Sequence, residues 1–77
     1  MARKKSEYFS EDHRKKMGRR IREIRGFDLT QQDMAKILGI GQGAYSKLEK
    51  GKALPTLETL VKLSQHSGKT IDWIVNG

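Results

Sequence analysis

Residues 29–55 read LTQQDMAKILGIGQGAYSKLEKGKALP, and what they fold into decides the rest of the chain. Thr30 is a helix N-cap, with Asp33 three residues on as its partner in a short capping box. Met34, Ile37 and Leu38 give this helix its apolar side, with Ala35 between them. Gly39 stands where a left-handed residue ends a helix. After Gly-Ile-Gly, a second helix carries Tyr45 and Leu48 three apart, and Gly51 ends it. Two helices that cross steeply over a turn of three or four residues need this pattern. A small side chain at Ala35 lets the second helix approach the first, and the glycine takes a conformation that a Cβ would penalise. Met34, Leu38 and Ile40 fill the wedge between them.

The same stretch is rich in glycine, so phosphate-binding loops have to be weighed. A P-loop needs GxxxxGK[ST] between a strand and a helix. Gly68–Thr70 has Leu63 in place of the first glycine, and Gly51–Ala53 lacks both the first glycine and the hydroxyl. The run GIGQGA matches GxGxxA literally. A helical pattern precedes it rather than a strand, and the chain is too short for the doubly wound sheet such a loop serves.

Outward from this centre the pattern stays helical. Ser10 is an N-cap, and Glu11 and Asp12 suit the positive end of the helix dipole. Met17, Ile21 and Ile24 then recur at spacings of four and three up to Gly26. Pro55 precedes Thr56, the cap of a fourth helix with Leu57, Leu60, Val61 and Leu63 as its apolar stripe and Gly68 as its stop. Thr70 caps a short fifth element holding Ile71, Trp73, Ile74 and Val75. No stretch alternates at period two, so strands are not expected. The expected fold is all-α, five short helices in one domain over residues 10–77, after a basic arm without structure at residues 1–9.

With 77 residues, a single small domain is expected. There is no cysteine, hence no disulfide framework and no thiolate metal site. No apolar run approaches the roughly 20 residues that span a bilayer, and the basic start lacks the apolar core of a signal peptide. A cytoplasmic protein is the expectation. The net charge is +7. Residues 1–26 carry ten Lys/Arg against four Asp/Glu, whereas residues 27–77 carry six against five. That balance favours a polyanion, nucleic acid above all.

Four pieces now stand in order: IREIR, LTQQDMAKILGI, YSKLEKGKALPTLETLVKLS and IDWIVNG. Together they resemble the phage-repressor and Cro-like helix-turn-helix proteins, the XRE family, over about residues 17–77. The resemblance implies a compact five-helix, lambda-repressor-like domain with its helix-turn-helix at about residues 30–50. It implies a sequence-specific transcriptional regulator of double-stranded DNA, a repressor, reading the major groove with its third helix, about residues 42–50. Two departures are visible. The link GFD after Arg25 is one residue shorter than usual in the family, and Gly41 opens the third helix where Ser or Thr is usual.

The resemblance places Gln42 at a base-reading position, where an amide matches adenine N6 and N7. Gly43 matches another base-facing position; it either admits the backbone close to the groove or contributes no reading. Ser46 and Lys47 lie outward because Tyr45 and Leu48 face in, so Lys47 can reach guanine or a phosphate, and Ser46 either serves DNA or only the surface. Gln31 is expected to contact phosphate and brace Gln42, with Thr30 beside it, and Lys50 and Lys52 flank the backbone path. Arg25 and Glu49 match a structural ion pair of the family. Arg3, Lys4 and Lys5 either wrap the duplex as an arm or only solubilise the chain. Arg19, Arg20 and Arg22 make a basic helix face.

A homodimer is expected, through Trp73, Ile74 and Val75 unless these only close the core. The rival expectation is an interaction module that grips a partner protein such as a toxin. His13 and His66 lack ligand partners at metal-binding spacing, and no serine stands near a base-and-acid pair. Neither a metal, a cofactor nor catalysis is expected.

Overall fold

Four helices begin at a side chain that accepts one of their otherwise unpaired first-turn amides. The computed structural model describes residues 8–77. It holds α1 (Glu11–Arg25), α2 (Gln31–Leu38), α3 (Gln42–Glu49), α4 (Leu57–Ser67) and α5 (Ile71–Asn76). Among the described residues there is no strand. Ser10, Thr30, Thr56 and Thr70 accept the amides of His13, Asp33, Thr59 and Trp73 respectively. At α2 the capping box is reciprocal, since the Thr30 amide also donates to Asp33 Oδ2 at 3.0 Å. α3 is the exception: Gly41 offers no side chain to cap it.

The core is drawn from all five helices. Met17 and Ile21 of α1, Met34, Ala35 and Leu38 of α2, Tyr45 and Leu48 of α3, Leu63 of α4 and Ile74 of α5 are buried together. Each fully buried aliphatic side chain contributes about 1.5–3 kcal/mol relative to exposure. Lys62 of α4 donates to the Leu38 carbonyl at 3.2 Å, tying α4 to the end of α2. Arg20 Nε and Nη2 donate to the Ile74 and Val75 carbonyls at 2.8 and 2.9 Å. His13 Nε2 donates to the same Val75 carbonyl at 2.7 Å. These cationic and polar donors on α1 cover the carbonyl end of α5.

α3 docks on α1 through two glycines. At Gly18, in the middle of α1, a Cβ would stand 2.4 Å from the Glu49 carbonyl oxygen and 2.7 Å from that of Leu48. At Gly51, φ is +73° and a Cβ would meet the Lys15 backbone at 2.8 Å. Backbone therefore lies on backbone at both points, and Arg14 Nε closes the second with a 3.3 Å bond to the Gly51 carbonyl.

Several expectations are corrected here. Phe9, counted with the arm, is half-buried and packs against the core, and its carbonyl accepts from Arg14 Nη1 at 2.7 Å. Leu57, Val61 and Ile37 are exposed. α4 buries its Thr59–Leu63 stripe, with Leu60 half-buried beside it, and Leu57 and Val61 lie well round the helix from that stripe. Of the three residues offered as a dimer contact or as core closure, Ile74 has no exposed surface and closes the core, while Trp73 and Val75 are half-buried beside it.

Candidate nucleic-acid interface

α3 has two faces of opposite chemistry. Tyr45 and Leu48 turn inward and are buried. Gln42, Gly43, Ala44 and Lys47 are exposed and Ser46 is half-buried, so the outward face carries an amide, a hydroxyl and a lysine. Lys50 and Lys52, just past the helix, are exposed as well. The only acid of α3, Glu49, is turned in, with its side chain 6% exposed. Nothing negative therefore belongs to the outward face of the helix.

Glu49 is the hub that holds α3 in place. It accepts a forked pair from Arg25 of α1, Nε at 2.7 Å and Nη2 at 3.2 Å. It also accepts from Gln31 Nε2 of α2 at 3.1 Å and from the Tyr45 hydroxyl. Burial by itself would push the Glu49 carboxyl up, but the bonds from Arg25, Tyr45 and Gln31 outweigh it and hold the group below the ordinary carboxylate range. Burial and the neighbouring carboxylate push the Tyr45 phenol well above its usual value, so it stays protonated and donates. The hydrogen bond to Glu49 raises Arg25 further. Arg25 Nη1 also donates to the Leu29 carbonyl at 3.0 Å, which braces the short GFD corner. Three helices are thus fixed by one buried carboxylate, at about 1.5–3 kcal/mol per charge-assisted bond.

The structure brings Arg25, Glu49 and Gln31 together. Gln31 was expected to brace Gln42; its amide donates to Glu49 instead. The Thr30 hydroxyl is taken by the Asp33 amide at 3.0 Å. Arg3, Lys4 and Lys5 lie outside the described residues. Sequence reasoning missed Gly18, whose signal was a glycine inside an otherwise helical pattern. It also missed Tyr45 and Gln31 as partners of Glu49, which no spacing rule reveals. Beside α3, an apolar groove of about 420 Å³ runs between Ala44, Lys47, Leu54 and Pro55.

Two helices crossing at a glycine turn, the second presenting amide, hydroxyl and lysine outward, define a helix-turn-helix protein. The chain belongs to the XRE-type helix-turn-helix family, whose model matches residues 19–74. It is 42% identical over 59 residues to the SPbeta prophage-derived uncharacterized HTH-type transcriptional regulator YonR of Bacillus subtilis, covering 77% of this chain and 53% of that protein. It is 38% identical over 58 residues to the cryptic phage CTXphi transcriptional repressor RstR of Vibrio cholerae, covering 74% and 52%. It is 36% identical over 59 residues to the HTH-type transcriptional activator BcrR of Enterococcus faecalis, covering 75% and 29%. The chain therefore spans about half the length of the first two relatives and less of the third. No solved structure matches it significantly. Among the described residues, no helix is long and apolar enough to cross a membrane.

Proposed function

We propose that this chain is a sequence-specific double-stranded DNA-binding transcriptional regulator, a repressor working in the cytoplasm, with α3 lying in the major groove. The observation that carries the reading is the inward turn of Glu49, which leaves the exposed face of α3 with Gln42, Ser46 and Lys47 and no acid. Gln42 and Lys47 read bases, with Ser46 beside them and Gly43 admitting the backbone to the groove. Lys50, Lys52, Gln31 and Thr30 hold phosphates and set the register, with Arg3, Lys4 and Lys5 as an arm. Repression is the printed role of the CTXphi relative, and we extend it to this chain.

One eight-residue helix buries too little for tight, selective binding, so the unit acts as a homodimer on a two-fold site. Half-sites then lie about 34–36 Å apart, one helical turn. Ile74 takes no part in the dimer contact, being in the core. Gln42→Ala tests the base reading. It is expected to cost about 1–3 kcal/mol on a duplex enriched from a random pool and little on unrelated duplex, measured by fluorescence anisotropy. Equal losses on both duplexes would refute reading by Gln42.

A further inference from the structure

Arg22 has a place that its position on a generally basic helix does not reveal. Its Nη1 stands 4.0 Å from Glu49 Oε1. That is the same oxygen that accepts from Gln31 Nε2 at 3.1 Å and from Arg25 Nη2 at 3.2 Å. Arg22 differs from four other basic residues of α1. Arg14 and Arg20 spend their guanidinium groups on the carbonyls of Phe9, Gly51, Ile74 and Val75. Lys15 and Lys16 are paired one turn back with Glu11 and Asp12. The charge of Glu49 is already matched by the forked Arg25, whose side chain is 11% exposed. The Arg22 side chain is 63% exposed, and its guanidinium makes no hydrogen bond among the described residues. Its guanidinium is therefore held only at the 4.0 Å edge of Glu49 and is otherwise open to solvent, at the same carboxylate oxygen that the amide of Gln31 reaches.

We propose that Arg22 is a direct ligand of a DNA backbone phosphodiester, sharing with Gln31 one phosphate site at the junction of α1, α2 and the end of α3. The inference rests on the DNA-binding reading above and extends the footprint of the domain from the helix-turn-helix onto α1. Glu49 positions the pair. Its side chain is only 6% exposed, and both donors approach the same oxygen, Oε1, at 4.0 and 3.1 Å. A guanidinium suits the site because its planar fork binds two phosphate oxygens together, and an amide beside it offers a neutral donor to the same group.

The test is the salt dependence of binding to an unrelated 20-base-pair duplex, measured for the whole chain and for two variants that each lose one positive charge. Arg22→Gln removes the proposed ligand. Lys16→Gln removes a charge from the edge of α1 that borders Arg20 and Asn76. The slope of log K against log salt is expected to become shallower by about 0.9 for Arg22→Gln. It is expected to stay within error of the parent for Lys16→Gln. Neither variant should move the melting temperature measurably, because both side chains are mostly exposed. Equal changes in slope for the two variants would mean only bulk attraction, and an unchanged slope for Arg22→Gln would mean no contact; either overturns the proposal. A parent chain whose binding shows no salt dependence overturns the DNA reading itself, and this inference with it.

Discussion

Replacing Gly18 by alanine sets two physical effects against each other. Helix propensity alone makes the substitution stabilising by about 1 kcal/mol. The packing works the other way. The new Cβ would stand 2.4 Å from the Glu49 carbonyl oxygen, 2.7 Å from that of Leu48 and 2.9 Å from the Glu49 carbonyl carbon. Ordinary contacts of these kinds settle at roughly 3.3–4.0 Å, so α1 and the last turn of α3 must part by about 1 Å. The opposing atoms are backbone and cannot swing aside. Overpacking of this kind costs about 1–3 kcal/mol, and contacts as short as 2.4 Å put it toward the upper end, leaving a net loss of up to about 2 kcal/mol after the propensity gain. The melting temperature falls by about 4–8 °C for each kcal/mol in a domain of this size. Gly43→Ala is the matched control, since a Cβ there meets nothing within 4 Å. It is expected to stabilise by about 0.5–1 kcal/mol. Urea denaturation followed by circular dichroism measures both. A Gly18→Ala chain at least as stable as the parent would refute the backbone-on-backbone account of how α3 is seated.

Glu49→Ala leaves the Arg25 guanidinium, the Tyr45 phenol and the Gln31 amide without their shared acceptor, and should cost about 3–5 kcal/mol in thermal or urea denaturation. The carboxyl of Glu49 is held below its unfolded value, so the stability it adds is complete above about pH 4.3 and drains away as pH falls through the lower folded value. Glu49→Gln should therefore flatten the acid limb of a stability-against-pH curve; an unchanged limb would remove Glu49 as its source. Lys52→Ala should weaken binding to every duplex alike and make the salt slope shallower by about 0.9; an unchanged slope would take Lys52 off the phosphate path.

All five helices were legible because their ends carry local chemistry. Ser10, Thr30, Thr56 and Thr70 act on amides three residues away, and Gly26, Gly39 and Gly68 stop their helices where they stand. What faces inward was less legible, since it depends on which neighbour covers a helix. Leu57 and Val61 look like core in a list of apolar residues, yet no helix among the described residues covers that side of α4, while Thr59 is buried. Trp73, Ile74 and Val75 look like a sticky tail until the end of α5 is seen folded against α1. The outward face of α3 could be read from the inward spacing of Tyr45 and Leu48. The partners of Glu49 could not, because Gln31 and Tyr45 reach it only once α1, α2 and α3 have met.

The central claim is that α3 reads sequence rather than merely carrying charge. Selection of bound duplexes from a random DNA pool, at about physiological salt, tests it most directly. The account predicts enrichment of a two-fold site with half-sites about one helical turn, roughly 34–36 Å, apart. Retention of DNA without enrichment of any sequence would contradict it, and would leave only the +7 net charge at work.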